Sequence, residues 1–351
     1  MNPETHLKTN VLIVGQGVSG LILNHLLKQK GINTILLDRK LNTATPILAE
    51  TIPPSTLSLL NRLELLSLFK DCATKTYGYE SKWNSNQIHE ELFFKHNPYK
   101  YGLKLDKRKL LSDLKNSSQT QSINYNQILE IQQKENTVIT TLTTDNEKTT
   151  IKSDFIIDAT GRKRAILKHF NIGSKAYDEN LAFICYVPKT GPHLKYGFFT
   201  ESFENGWGTI SNLNETTDII TLYITRNSLL HKQFISFSNW KHILLNTQVL
   251  KHYLPFIGNY KVIGKQANSS KANKIYSNNC LAVGDAAIAF SPVSSHGISN
   301  ALFCASEASK AINSFYLTNE TSSFNSYENT LNRVFDEYFL QKEKLFTLEL
   351  I

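Results

Sequence analysis

Read from its residues alone, the chain is an α/β protein in which a strand–helix–strand unit is interleaved with a second lobe built mainly from β-strands. Three features carry this reading. A glycine-rich turn joins a short apolar strand to a helix near the start of the chain. Two further apolar strands, one mid-chain and one late, end in Asp158-Ala159-Thr160-Gly161 and in Gly284-Asp285. Between them, residues 175–265 offer a succession of aromatic-rich strand candidates.

Asn10 to Val14 is a short apolar strand, and the turn Gly15-Gln16-Gly17-Val18-Ser19-Gly20 follows it. Leu21, Leu23, Leu26 and Leu27 then recur at helical spacing until Gly31 closes the helix. Thr34 to Leu37 is a second buried strand, ending at Asp38. Pro53-Pro54 leads into a helical run at Leu57, Leu60, Leu63 and Leu66, whereas Ser67 to Tyr101 has no strong period. Alternation between Gln121 and Ile151, as in Val138-Ile139-Thr140-Thr141-Leu142, predicts a meander of strands, and Phe155-Ile156-Ile157 is a buried one. In the middle lobe, strands at Ala182 to Val187, Tyr196 to Thr200, Trp207 to Ser211 and Ile219 to Thr225 precede a helix around Ser238 to Tyr253. Cys280 to Val283 returns to a core strand, followed by a helix from about Ile298 to Tyr316 and an amphipathic helix from Ser326 to Leu350. The expected boundaries place 1–50, 100–174 and 266–351 in one discontinuous domain, and 51–99 with 175–265 in a substrate domain.

Composition narrows the class. At 351 residues the chain is long enough for two lobes, and 41% hydrophobic with 19% charged residues is ordinary globular usage. The formal net charge of +8 is scattered, with only short clusters such as Lys107-Arg108-Lys109 and Arg162-Lys163-Arg164, so no nucleic-acid partner is expected. An acidic partner or an anionic cofactor accounts for the excess equally well. Cys72, Cys185, Cys280 and Cys304 are far apart and share no CxxC spacing, which argues against a metal site or disulfide framework and suits a reducing compartment. Met1 to Lys8 is polar, without a signal peptide, and no apolar run reaches spanning length. A soluble cytoplasmic protein without an integral membrane segment is expected.

The spacing Gly15-x-Gly17-x-x-Gly20 between strand and helix is chemically specific. The first glycine permits the tight turn, the second lets the backbone approach a pyrophosphate, and the third allows close helix–strand packing. Amides at the helix N-terminus then attract the phosphates. Asp38, at the end of the second strand, stands where a carboxylate accepts from both ribose hydroxyls, and Arg39 beside it is compatible with NAD or FAD. Gly15, Gly17, Val18, Ser19, Gly20, Asp38 and Arg39 are therefore expected to bind a dinucleotide.

The later segments point to FAD. Small residues in Asp158-Ala159-Thr160-Gly161 let the backbone pass close to the dinucleotide, and Asp285 after Gly284 is placed to bind ribityl hydroxyls or the pyrophosphate through water. Pro292-Val293-Ser294-Ser295-His296-Gly297 is a loop of small residues that allows flat approach of an isoalloxazine ring. The helix starting near Ile298 would aim its positive end at the N1–C2=O edge and stabilise reduced flavin by ~0.3–2 kcal/mol. Asp158, Gly161, Gly284, Asp285, Pro292, Gly297 and Ile298 join the expected FAD-binding set.

With these segments in place the sequence resembles the FAD-dependent monooxygenases of the p-hydroxybenzoate hydroxylase type and the related flavin-dependent halogenases. Within that group it looks closest to the flavoproteins that mature protein-derived quinone cofactors. The residues behind this are Glu50-Thr51-Ile52-Pro53-Pro54-Ser55, Tyr77-Gly78 with Ser81 and Trp83, and Gly102-Leu103-Lys104-Leu105-Asp106-Lys107. Asp158 to Arg162, Pro292 to Ile298 and the spacing Tyr327, Tyr338, Glu349 also fit. The resemblance implies a glutathione-reductase-type FAD-binding Rossmann domain interleaved with a β-sheet substrate domain. It implies an oxidoreductase in which reduced FAD and oxygen form a C4a-hydroperoxide that attacks an aromatic ring, a tryptophan or tyrosine of a partner protein or peptide included. Electrons would come from NAD(P)H or a separate flavin reductase. Lys107 stands where the relatives usually carry Arg, so a cofactor contact there would lack the planar donor fork. His296 stands where they often carry Gln, next to the expected flavin, as a candidate proton donor or a plain loop residue.

Two alternatives remain. A halogenase would use Lys82, downstream of the Glu50 to Pro53 stretch, as its oxidant relay; yet Gly206-Trp207-Gly208-Thr209-Ile210-Ser211 lacks the Trp-x-Trp-x-Ile-Pro pattern of such enzymes. A non-catalytic flavoprotein serving as a maturation partner is the other.

Overall fold

The computed structural model describes residues 4–40, 47–96, 98–145, 147–204, 206–225, 236–254 and 258–348. Its α-helices are α1 (Val18–Gln29), α2 (Pro54–Arg62), α3 (Leu66–Asp71), α4 (Lys107–Ser117), α5 (Ala165–His169), α6 (Phe237–Leu245), α7 (Gly297–Thr318) and α8 (Ser322–Leu348). Glu349 and Leu350, named above for the C-terminal helix, lie outside the described residues.

An eight-stranded sheet is centred on Glu4–Val14, which runs parallel to both Lys148–Asp158 and Thr34–Arg39. Gln121–Tyr125 extends one edge, and Cys280–Ala282 pairs with the end of Lys148–Asp158 on the other. Val11 to Val14 are wholly buried, as expected for a parallel strand covered on both faces. Gln127–Lys134 and Thr137–Thr143 form the meander the alternation predicts, pairing antiparallel onto Lys148–Asp158. α1 packs against α7, so the first and last nucleotide-type segments meet although they lie near opposite ends of the chain.

A seven-stranded sheet follows the order Val262–Gln266, Asn180–Pro188, Thr217–Thr225, Gly206–Asn212, Phe198–Phe203, Gly78–Lys82, His89–Leu92. One face buries Phe183, Cys185, Phe199, Ile210, Ile220 and Leu222 against Trp240 and Leu244 of α6. Period-two alternation turns the intervening side chains toward the other lobe.

Several boundaries differ from expectation. Leu57, Leu60, Leu65 and Phe69 of the α2–α3 region pack into the large core of the first sheet rather than into the second lobe. The leucine run is two helices, because Glu64 adopts a left-handed φ of 59° between them. Ser67 to Tyr101 contains strands that sequence periodicity missed. His89–Leu92 is a sheet edge exposed at three of its four residues, so no buried alternation marks it. The helix expected to reach Tyr253 stops at Leu245. There the buried Glu201 carboxylate accepts from the amides of Val249 and Leu250, both at 2.9 Å, and starts a separate turn. All four cysteines are buried free thiols. Among the described residues no helix is long and apolar enough to cross a membrane.

Candidate functional site: a dinucleotide cradle opening on an aromatic cavity

The glycine turn is fixed by what it touches. Gly15 has φ +112°, and a Cβ there would lie 2.3 Å from the Ala159 carbonyl oxygen. A Cβ at Gly20 would lie 2.1 Å from the Gly15 oxygen and 3.1 Å from the Ala159 Cβ. These two glycines are therefore demanded by the contact between the first turn and the 158–161 segment. Gly17 is different, since a Cβ there would meet no atom of more distant residues within 4 Å. It is the N-cap of α1 and no side chain caps that helix, which leaves its first amides for an anion. Val18 is buried in the core, so only its backbone is on offer. Ser19 touches Gly284, whose φ is +59°, and this contact brings the late segment against the first. Gly15 N–H donates to the Leu37 carbonyl at 2.8 Å, which sets Asp38 beside the turn. Asp38 is half-buried, and burial holds its carboxyl above the usual range, partly offset by the Arg39 amide and by Lys115. Arg39 is exposed.

Asp158 has a structural part of its own in the segment expected to pass close to the dinucleotide. Its carboxylate is wholly buried and accepts four hydrogen bonds: from the Thr160 amide (2.9 Å) and hydroxyl (2.6 Å), and from the Ile166 and Leu167 amides (2.9 Å each). With both oxygens engaged, it builds the turn and the start of α5 and has no lone pair directed at a ligand. Gly161, at φ +67°, has open space at its Cβ position.

On the other side of the cradle, Asp285 pairs with Arg162, Nε to Oδ2 at 3.3 Å. Arg162 also donates to the carbonyls of Phe290 (2.7 Å) and Asn268. The Tyr338 hydroxyl, reaching in from α8, accepts from the Ser291 amide at 2.8 Å, so the base of the 291–297 loop is held from two sides. Beyond Pro292, Gly297 is exposed and its Cβ position is empty to 4 Å, while α7 starts there without a side-chain cap. Ser291 Oγ is buried and has no hydrogen-bond partner. Ile298 is buried in the core and contributes backbone only. His296 is exposed at the cavity, its ring nitrogen turned to the Ser294 carbonyl of its own loop. Lys107 Nζ pairs with Glu50 at 2.8 Å, and that carboxylate, with a smaller contribution from Asp285, holds the ammonium above its ordinary value. Lys107 thus meets a carboxylate at the cavity's edge rather than standing free.

Two uncapped helix N-termini, open Cβ positions at Gly17 and Gly297 and the orphaned Ser291 hydroxyl fit FAD. The amides of α1 would hold its pyrophosphate, Asp38 its ribose, and the 291–297 loop with the start of α7 its ring.

This loop faces a cavity of ≈750 Å³, within the range of cofactor and substrate sites. Its opposite wall is the inner face of the seven-stranded sheet, including Trp83, Phe198, Thr200, Trp207, Thr209 and Tyr223. Trp207 stacks on Tyr223 with centroids 4.8 Å apart and planes 9° from parallel, and Trp83 lies 6.3 Å from Trp207. Burial pushes the Tyr223 phenol up to about 12, against hydrogen bonds from Thr209 and Thr221 that favour the anion. The sequence marks these strands but not which of their residues form the wall. The alternation Trp207, Thr209, Ser211 is the signal it offers.

Lys82, expected as an oxidant relay if the protein were a halogenase, lies apart from this wall. In Gly78–Lys82 the residues Tyr79 and Ser81 face the cavity, as does Trp83 after the strand. Alternation sends Lys82 to the opposite face, where it hydrogen-bonds Gln248 in a separate polar groove shared with Glu201 and Asn84. Lys82 is thus on the side of the sheet away from the aromatic cavity.

Comparison with known proteins bears on family and fold. The FAD binding domain model matches residues 8–193, just over half of the chain. The putative FAD-dependent oxidoreductase LodB of Marinomonas mediterranea is 22% identical over 202 residues, 57% of this chain and 54% of that protein. The chain thus spans about half the length of the curated relative it matches. Among solved structures, the flavin-dependent halogenase CmlS superposes with TM-score 0.79 at 19% identity, covering 94% of this chain and 62% of that one. The peptidyl tryptophan dihydroxylase QhpG gives 0.73 at 16%, covering 94% and 73%. The p-nitrophenol 4-monooxygenase PnpA from Pseudomonas putida DLL-E4 gives 0.76 at 16%, covering 95% and 87%. At these identities the likeness is one of fold. The fold is the one shared by flavin-dependent halogenases and monooxygenases, and the chain belongs to the FAD binding domain family.

Proposed function

We propose that this protein is an FAD-dependent monooxygenase that oxidises an electron-rich aromatic ring. The observation that carries the reading is a cavity whose one wall is the 291–297 loop and whose other is the Trp83–Trp207–Tyr223 face. Bound FAD would supply the two-electron and oxygen-activating chemistry. The chain's own part is to present the ring against Trp83 and Trp207, to keep water out with apolar side chains, and to hold the loop rigid through Arg162 and Tyr338. The ring of a tryptophan or tyrosine in a partner polypeptide is a candidate for the same wall; one structural neighbour is a peptidyl tryptophan dihydroxylase. NAD(P)H or a separate flavin reductase would provide the electrons.

The purified protein is expected to be yellow and to release FAD on denaturation. Reduced and exposed to oxygen with an indole or phenol, it should give a product heavier by one oxygen without requiring halide. A bromide-dependent product, or oxygen consumption with no oxidised ring in any such substrate, would contradict the proposal.

Lys82→Ala should leave turnover within about twofold, as for surface substitutions worth less than ~0.5 kcal/mol. Loss of halide-dependent product in that variant would restore the halogenase reading.

A further inference from the structure

The register of the cavity wall sorts its side chains into rows. Ser81 is opposite Thr200, Thr200 opposite Thr209, and Thr209 opposite Thr221, so four hydroxyl side chains line up across four neighbouring strands. On one side of this row Trp207 is opposite Tyr223, with Trp83 beside them; on the other, Phe198, Ser211 and Ile219 are in register. Ring-sized surfaces therefore flank a line of neutral hydroxyls, of which Thr200 donates to the Gly208 carbonyl at 3.2 Å and Thr209 and Thr221 bond the Tyr223 phenol. A ligand thus meets the Ser81 hydroxyl, free among the described residues, and the remaining lone pairs of the threonines.

Most of the charge around the same cavity is paired. Glu50 pairs with Lys107 at 2.8 Å, Asp285 with Arg162 at 3.3 Å, and Glu91 lies 3.7 Å from His96 at the rim. The other nitrogens of Arg162 donate to backbone carbonyls. Among the described lining residues, Lys265, exposed on the sheet edge, is the one Lys or Arg with no carboxylate partner. A carboxylate or ammonium carried deep into this cavity, away from Lys265 at the sheet edge and Glu91 at the rim, would lose its hydration against side chains whose charges are already paired.

We propose that the substrate is an electrically neutral aromatic compound whose ring lies against Trp83 and Trp207 and whose amide or hydroxyl groups hydrogen-bond the Ser81–Thr200–Thr209–Thr221 row. Aromatic carboxylates and free amino acids are discriminated against. The inference rests on the monooxygenase reading only for the identity of the site; the preference itself is a binding property.

The test is calorimetric titration of the holoenzyme at pH 7 with two matched pairs, indole-3-acetamide against indole-3-acetate and 4-hydroxybenzamide against 4-hydroxybenzoate. The amide of each pair is expected to bind at least about tenfold tighter. Thr209→Val and Thr221→Val, near-isosteric and favoured in strands, should weaken the amides about five- to tenfold while leaving FAD content unchanged. Equal or tighter binding of the carboxylate in either pair, or no binding of either amide up to its solubility, overturns the proposal. Valine variants that bind the amides like the unaltered protein overturn the role of the hydroxyl row. Failure of the monooxygenase reading is a separate result, because an amide preference measured by heat does not depend on oxygen being transferred.

Discussion

Asp158→Ala is expected to lower stability by about 3–5 kcal/mol, because a buried amide left without its acceptor costs roughly 1–3 kcal/mol and three amides lose theirs together. The donors are the amides of Thr160, Ile166 and Leu167, with the Thr160 hydroxyl as a fourth. The same segment carries Ala159, whose carbonyl and Cβ abut the positions where Gly15 and Gly20 lack side chains. Loss of the turn should therefore also release FAD. Denaturant unfolding followed by circular dichroism checks the first effect and flavin retention on gel filtration the second. Asp158→Asn keeps one acceptor oxygen and should fall between the two proteins. A loss below about 1 kcal/mol in the alanine variant would show that the amides find other acceptors, and that the carboxylate is not the organiser of the turn.

Gly17→Val is expected to separate folding from cofactor binding. A Cβ at Gly17 meets no atom of more distant residues within 4 Å, so the fold should tolerate it. It would stand where the pyrophosphate must approach the start of α1, and FAD affinity should drop at least about 100-fold, or roughly 2.8 kcal/mol. Gly15→Val provides the contrast. There the added Cβ lies 2.3 Å from the Ala159 oxygen at φ +112°, so both stability and FAD should be lost. Equilibrium titration with FAD alongside thermal melts distinguishes the two variants. A Gly17→Val protein that melts like the parent and still binds FAD normally would place the pyrophosphate elsewhere.

These expectations show where local sequence is sufficient. Gly15, Gly17 and Gly20 are legible because a turn between strand and helix is set by neighbours in the chain. The late Gly284-Asp285 and the 291–297 loop are legible for the same reason, each sitting at the end of a buried strand or the start of a helix. Asp158 is legible as part of that pattern but not in its role, since its partners at Ile166 and Leu167 belong to a helix too short to announce itself. The face that Lys82 occupies is not legible, because nothing in the unpatterned 67–101 stretch tells which side of a strand it takes. One residue of register moves a side chain to the other side of a sheet.

From its sequence this protein has a dinucleotide cradle of the FAD type and a β-rich lobe beside it, because glycine spacing and strand-end acids act over a few residues. Tertiary structure alone assembled the cavity wall: Ser81, Thr200, Thr209 and Thr221 come from four separate strands, the first far from the others in the chain, and become a row only when those strands pair. It also decided which charges pair. The Glu50–Lys107 and Asp285–Arg162 pairs join residues distant in the chain, and such Coulombic matching depends on separation in space rather than along the sequence.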